Sequence, residues 1–600
     1  MHRLTAPVLI VILALLAAPA HASLIFVNTA DDELNTDNDC SLREAIEAAN
    51  TNTPVDGCTG GQSIQTDAIF LVVSDEIVLD AGLGPLVITD RVNLVGAGRD
   101  TTIISQQSTI QLFVVEMVNT SHDVEFSQMT LRDGHAVPGL YGGAVQLMEG
   151  DSFIFRDVAF VDNTVVGATT ESWAGGGAIF AGPLLNSPDP TLLIEDCLFR
   201  GNTAVREFGT LDRGLGGAIL SLWRAEAGGS GTANEALDAL TIIDSEFREN
   251  SSEKSGLAVF TRFVPQVTIE GSQFIGNQNL TVGVSTETGA VTVQGSGSDL
   301  LFIRDSTFVD NMSRDNGSAV YASGLAGAVT NSTFTGNMPA PLRLNGGATL
   351  SVQYSTLVNN NDTLAFKPVI DVCADCYFSS RASIIWNAWP TDNLCSVEPG
   401  GAYTSLGFNI DSDGSCTGHA SDLPMTDPKL LTLDAWGGAA ANFDLLTFLP
   451  VPGGAAVDGA GLDTCPGPLG GNVTTDARGQ LRPVDGSETG SDLCDIGAVE
   501  YQFEQDPEAA TLHVQIAGNG AGQVTSNPQG VDCTADCEAD FLARTNVRLT
   551  ASPAVGSTFA GWTGACTGTG LCQVILNQNA QVTATFTGSA PDLIFKDGFD

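Results

Sequence analysis

One short pattern returns seven times in the middle of this chain: apolar, any, apolar, two of any, small, any, Phe, two of any, Asn. It runs Leu192, Ile194, Cys197, Phe199, Asn202, then Leu240, Ile242, Ser245, Phe247, Asn250. Two more copies run Val267, Ile269, Ser272, Phe274, Asn277 and Leu301, Ile303, Ser306, Phe308, Asn311. Looser copies close on Phe160 and Asn163, Phe334 and Asn337, and Leu357 and Asn360. An earlier relative, Val124, Phe126, Met129 and Leu131, carries Gly134 in the Asn slot. Between copies stand Gly142-Gly143-Ala144-Val145, Gly176-Gly177-Ala178-Ile179, Gly216-Gly217-Ala218-Ile219 and Gly317-Ser318-Ala319-Val320.

Apolar residues two apart share one face of an extended strand. The step of three from Ile194 to Cys197 breaks that alternation and places a bend or bulge there. Cys197 to Phe199 is strand again, and Asn202 ends it, because Asn tolerates left-handed backbone and bonds its own chain. The glycine pair supplies a turn with no Cβ in the way. No amphipathic helix of useful length separates the copies, so a βαβ sheet is disfavoured, and β-sandwich strands do not repeat one motif. The chain therefore reads as all-β, a right-handed parallel β-helix whose coils stack about 4.8 Å apart. Phe then lies on Phe and Asn on Asn, as in other stacked strands. The expected columns are Phe160, Phe199, Phe247, Phe274, Phe308 and Phe334, and Asn163, Asn202, Asn250, Asn277, Asn311, Asn337 and Asn360.

A chain of 600 residues with 67 Gly and few charges suits an elongated repeat with appendages. The formal charge of −46, with lysine confined to Lys254, Lys367, Lys429 and Lys596, offers no basic stripe and argues against nucleic acid. Residues 1–22 read as a secretory signal: Arg3, an apolar core from Val8 to Ala18, and a cleavage site at Ala20-His21-Ala22. No Cys follows that site, so a lipoprotein anchor is not expected, and no later segment is long and apolar enough to span a membrane as a helix. The chain is expected outside the cell or on its outer surface, as a monomer.

The 13 Cys of an exported chain point to disulfides. Local spacing pairs Cys40 with Cys58, Cys465 with Cys494, Cys533 with Cys537 and Cys566 with Cys572. The pairing of Cys373, Cys376, Cys395 and Cys416 stays open, with a redox or zinc half-site at Cys373-x-x-Cys376 as the rival to a structural disulfide. Cys197 occupies a slot filled elsewhere by Ser and is expected as the buried free thiol.

Residues 23–70 form an N-terminal capping segment with a short helix, capped by Asp39 or Ser41, striped by Leu42, Ala45, Ile46 and Ala49 and ended by Asn50. The helix would close the open end of the stack. Repeats occupy 71–394. Residues 395–503, rich in Asp, Gly and Pro, read as a C-terminal cap over the last coils. Residues 511–587 alternate as a small disulfide-bearing β domain. The tail 588–600 is either an export or anchoring tag or a last strand.

Cys40-Ser41-Leu42-Arg43-Glu44-Ala45-Ile46 resembles the signature of the CSLREA-domain family of secreted bacterial proteins. The glycine and Phe-x-x-Asn repeats resemble those of polymorphic outer-membrane proteins. Asp458-Gly459-Ala460-Gly461, Arg478-Gly479-Gln480, Arg482-Pro483 and Cys494-Asp495-Ile496-Gly497-Ala498 look like the choice-of-anchor Q region, and 511–587 resembles a divergent B-type surface repeat. These resemblances imply a surface or secreted β-helix of pectin lyase-like fold. The chain departs from the autotransporter kind, since the residues after the coils are too few for a membrane barrel of twelve strands at about ten residues each.

For catalysis the candidates are Asp196, Asp244 and Asp305, with Asp157, each beside the small slot and expected to stack on one face. Asp162, Glu249 and Asp310 precede the ladder Asn and are expected to stack likewise. The sets that mark polygalacturonases are absent, and a solvated outer face explains such acids equally. Asn409, Asp411 and Asp413 resemble the front of a Ca²⁺ loop, but Ala420 stands where a Glu is needed, and no cofactor is expected. The leading expectation is a surface scaffold that binds glycans or matrix as an adhesin. The alternative is a polysaccharide lyase or glycoside hydrolase working on the face of the coils with stacked Asp and one Arg.

Overall fold

The computed structural model describes residues 23–117, 123–137, 140–167, 174–182, 190–206, 214–222, 237–279, 288–313, 319–360, 368–387, 393–436, 443–468, 470–487, 489–502, 509–527, 530–542, 545–570, 572–576 and 578–588. Residues 1–22, expected as a secretory signal, Gly317-Ser318 and the tail beyond residue 588 lie outside them. The chain divides into two compact units, one holding residues 1–268, 274–301 and 311–325 and the other 269–273, 302–310 and 326–600.

The first unit is a stack of parallel strands. One row runs Leu24–Val27, Asp67–Leu71, Val92–Val95, Asp123–Arg132, Ser152–Val161, Thr191–Glu195 and Ala239–Ile243. The later halves of Asp123–Arg132 and Ser152–Val161 continue into Leu198–Arg200 and Glu246–Arg248. A third row holds Phe113–Glu116, Val145–Glu149, Ile179–Ala181, Ile219–Ser221 and Val259–Arg262. Phe160, Phe199, Phe247 and Phe274 fall in register, with successive ring centroids 4.6, 4.6 and 4.7 Å apart and nearly coplanar. These strands define a parallel β-helix.

The Asn slot is buried throughout, and its bonds explain its identity. Asn250 Oδ1 accepts from Asn202 N at 3.1 Å and Asn202 Nδ2 at 2.9 Å, while Asn250 Nδ2 donates to Phe199 O at 2.9 Å. Asn163, Asn202 and Asn277 repeat the arrangement, and at the head Gly134 N donates to Asn163 Oδ1. Each amide thus satisfies backbone groups left open where the strand turns. The second glycine of each pair is demanded by closeness. A Cβ on Gly177 or Gly217 would lie 2.0 Å from the carbonyl of the next coil.

The second unit repeats these devices. Thr307–Val309, Thr333–Thr335, Thr356–Val358 and Ile384–Trp386 pair in parallel, Phe308 stacks on Phe334 at 4.7 Å, and Asn337 and Asn360 continue the amide pattern. A serine column runs beside them. Ser306 N donates to Ser332 Oγ, Ser332 N to Ser355 Oγ and Ser355 N to Ser383 Oγ, and each hydroxyl donates to the carbonyl two residues back. Parallel pairing runs past residue 394 to Ile410–Asp411 and Leu423–Pro424. The motif fades there because Asn409 and Ser412 accept the bonds that Ser and Asn take in earlier coils.

Residues 443–501 lie along the outer side of these coils. Thr307 Oγ1 donates to Leu446 O at 2.6 Å, Thr333 Oγ1 meets Thr447 Oγ1 at 3.0 Å, and Ala498 N donates to Thr356 Oγ1 at 3.0 Å. Those outward slots hold Thr, small enough to be covered. In the first unit the matching slots hold Thr130, Ala159, Leu198 and Glu246.

Residues 509–588 form two four-stranded sheets, mostly antiparallel, over a core of Leu512, Val514, Val547, Leu549, Trp562, Val582 and Phe586. Six disulfides form: Cys40–Cys58, Cys373–Cys376, Cys395–Cys416, Cys465–Cys494, Cys533–Cys537 and Cys566–Cys572. The Cys373-x-x-Cys376 pair is thus closed on itself. Cys197 is the free thiol and is buried. The helix spans Leu42–Thr51. Ser41 is its cap, with Glu44 completing the reciprocal bond at 3.0 Å, and the left-handed residue that ends it is Asn52, not Asn50. Arg43 pairs with Asp32 at 2.7 Å and donates to Gly84 O at 2.8 Å. The segment Cys40–Ile46 therefore caps the helix, staples it to Cys58 and ties it to Asp32 and Gly84.

Candidate functional site

The acidic slots are first of all turn positions. Asp157, Asp196, Asp244 and Asp305 have φ of 51, 54, 46 and 50°, the left-handed region. This is the break in alternation between Ile194 and Cys197. Short polar side chains and glycine enter that region at least cost, so Asp is favoured there for its backbone, although Gln128, Tyr354 and Ala382 fill the same slot on other coils at φ 57, 48 and 44°. Gly271 and Asn331 occupy it elsewhere, at φ 57 and 49°. The slot before the ladder Asn is left-handed too: Asp162, Glu249 and Asp310 lie at φ 54, 56 and 51°. These three do not form a carboxylate column. A Cβ on Gly201 would sit 2.2 Å from Asp162 Oδ1, and one on Gly336 2.0 Å from Asp310 Oδ1. Acid alternates with glycine because each carboxylate leans over the next coil.

Asp157, Asp196 and Asp244 do follow one another on successive coils, since Arg156, Glu195 and Ile243 are register partners. Asp305 belongs to the other unit. Its Oδ1 accepts from Asn331 Nδ2 at 3.0 Å, and the same nitrogen reaches Thr475 O at 2.7 Å. Burial lifts the Asp305 carboxyl to about 6. Sequence reasoning left the arginine of this site unnamed; it is Arg99. Its Nε donates to Asp157 Oδ1 at 2.6 Å and its Nη2 to the Asp196 carbonyl at 2.9 Å. Asp196 is raised by burial, then by Glu195 and Asp157, against the pull of Arg99. One guanidinium thus joins the Asp157 carboxylate of one coil to the Asp196 backbone of the next.

Asn409, Asp411 and Asp413 are brought together, but by their own backbone. Asp411 Oδ1 accepts from Asp413 N at 2.8 Å and Oδ2 from Cys416 N at 2.6 Å. Asp413 Oδ1 accepts from Ser415 N and Oγ, and Oδ2 from Leu394 N at 2.8 Å. Asn409 Nδ2 donates to Ser405 Oγ at 2.9 Å. These are Asx turns around the Cys395–Cys416 bridge, with oxygens already engaged by donors that a cation would have to displace. Near the helix, Glu33, Asp37 and Asp39 crowd together, as do Asp39, Glu44 and Asp56. Asp56 Oδ2 accepts from Asn38 N at 2.8 Å and Asp37 N at 3.2 Å, so this cluster too organises a loop.

A buried polar knot in the second unit was legible only as motif fragments. Arg478 grips Asp476 Oδ2 through Nε and Nη2 at 2.9 and 2.7 Å and donates to Glu500 O. Arg482 pairs with Glu500 at 2.8 Å and reaches Asn331 Oδ1 at 3.1 Å and Gly497 O at 3.0 Å. Asp495 accepts from Asp458 N and Tyr501 N, each at 2.6 Å. Both ion pairs are wholly enclosed. Their fixed geometry ties residues 458–501 to one another and to the coil at Asn331, and so holds structure together.

The class that fold and corner define is a disulfide-stapled parallel β-helix with an appended β domain. Residues 512–590 match the family described as the divergent InlB B-repeat domain. No curated protein matches the chain. Among solved structures, tailspike protein 3 of bacteriophage CBA120 aligns at 9% identity and TM-score 0.27, over 68% of this chain and 64% of its own. The chain thus spans less than two thirds of that tailspike's length. Among the described residues no helix is long and apolar enough to cross a membrane. Six disulfides fit an oxidising compartment.

Proposed function

We propose that the chain is an exported, surface-associated β-helix scaffold that binds glycan or matrix as an adhesin, without catalysis. One observation carries this reading. The side chains that repeat most strictly point inward and bond to one another, while the outward slots change from coil to coil. In one outward column Ser127, Arg156, Glu195 and Ile243 succeed one another. A constant interior under a variable exterior is what a binding surface built from stacked units requires. The B-repeat-like domain serves as a spacer or second binding module. The test is binding of the purified chain to cells and to neutral and anionic glycans, with reducing-end and unsaturated-product assays alongside. Retention on a glycan without new chain ends supports the scaffold.

A second reading has its own support, the convergence of Arg99, Asp157 and Asp196. The backbones that carry these carboxylates lie about 4.8 Å apart on neighbouring coils, close to the carboxylate spacing of retaining glycosidases. Reproducible chain cleavage that is lost in both Asp196→Asn and Arg99→Gln would establish a lyase or hydrolase and remove the first reading.

A further inference from the structure

The sheet of residues 509–588 that contains Ala509–Gly518, Cys537–Leu542, Ser557–Gly564 and Ala580–Gly588 has one face on the core and one in solvent. On its solvent face Gln515, Thr583 and Thr563 are register neighbours across three strands. Thr585 follows along the central strand, Thr587 stands opposite Thr558, and Gln581 opposite His513. In a chain with 70 acidic and 24 basic residues, this strip is hydroxyl and amide. Its charged neighbours lie on the edge strand and are already engaged. Glu538 pairs with His513 at 3.0 Å, and Asp540 accepts from Thr511 at 2.8 Å. Thr558 Oγ1 and Thr587 Oγ1 meet at 2.8 Å at one end of the strip, but the links at its centre are long. Thr583 Oγ1 and Gln581 Nε2 each reach Gln515 Oε1 only at 3.4 Å, which leaves their hydrogen-bonding capacity largely unspent.

We propose that this face binds a neutral, hydroxyl-rich glycan chain. The inference rests on the glycan-binding reading above and names the ligand class and the place. Three physical reasons support that occupant. A glycan without carboxylate or sulfate offers donors and acceptors that match Thr and Gln, and it meets no repulsion from an acidic molecule. Threonine hydroxyls in a strand are held by a stiff χ1, so little rotamer freedom is lost on binding. Neutral groups are also cheaper to strip of water than charges.

The test is affinity electrophoresis of the full chain in gels containing laminarin, dextran or galactomannan, with polygalacturonate as the anionic comparison. The expected result is retardation by at least one neutral glycan, unchanged in about 0.5 M NaCl because no ion pair is involved. Thr583→Glu/Thr585→Glu should weaken it at least tenfold, and the milder Gln515→Ala/Gln581→Ala several-fold, with unaltered circular dichroism. Neutral-glycan binding untouched by both variants would overturn this inference while leaving the scaffold reading standing. Retardation by polygalacturonate alone would overturn it in the same way. Binding to no glycan and to no cell surface would remove the scaffold reading along with it.

Discussion

A single ladder asparagine answers for several backbone groups. Asn250 satisfies the Asn202 N–H and the Phe199 carbonyl of the preceding coil and links the side-chain amides of both neighbouring coils. Asn250→Ala leaves buried groups without partners and is expected to destabilise the first unit by about 3 kcal/mol, read from urea unfolding. Cys197 sits in a slot built for a hydroxyl: Cys197 N donates to Ser245 Oγ at 3.1 Å, and its Sγ lies 3.2 Å from Glu195 O. Burial pushes this thiol up to about 12. It should resist iodoacetamide in the native protein and label as one thiol per chain after unfolding without reductant, counted by mass spectrometry. Asp305 carries a pH signature. Its folded value of about 6 exceeds its ordinary 3.8, so between those values the native state holds the extra proton. Its contribution to stability therefore falls as pH rises from about 4 through about 6. Asp305→Asn keeps the acceptor for Asn331 and should flatten that part of the stability–pH curve.

At the scale of elements, the N-terminal helix is short, so its caps matter. Ser41→Ala removes the acceptor for Glu44 N and the bond from Ser41 Oγ to Glu33 O. A loss of about 1 kcal/mol is expected, with faster amide exchange confined to residues 41–52. Inward slots were readable in the sequence because spacing alone defines them: Phe, Asn and Ser recur at fixed offsets whatever lies between. The acidic slot was harder to read. A left-handed turn residue selects Asp for its backbone, and the same letter also suggests a reactive carboxylate. Arg99 was illegible because it lies 58 residues from Asp157 and 97 from Asp196, in a coil that precedes the clear repeats. A cap formed by residues 395–503 was expected; parallel strands continue through its first part to Leu423–Pro424, and residues 443–501 flank the late coils along Thr307, Thr333 and Thr356, an outward column lacking both charge and bulk.

At the scale of the molecule, everything depends on coils lying in register, residue over residue, across long insertions in the chain. Arg200 and Arg248 point outward in that register, 48 residues apart in sequence and opposite one another on neighbouring strands. Strands so paired bring Cα atoms to the separation a disulfide requires, about 5 Å. The most direct measurement is therefore cross-linking. In a Cys197→Ser background, Arg200→Cys/Arg248→Cys is oxidised mildly and mapped by peptide mass spectrometry, beside Arg200→Cys/Arg262→Cys as the mismatched pair. Closure of the 200–248 link in the folded chain, with none for 200–262, is the expected result. Failure of the 200–248 pair to close, or equal closure of both, would contradict the stacked β-helix and with it the scaffold built on it.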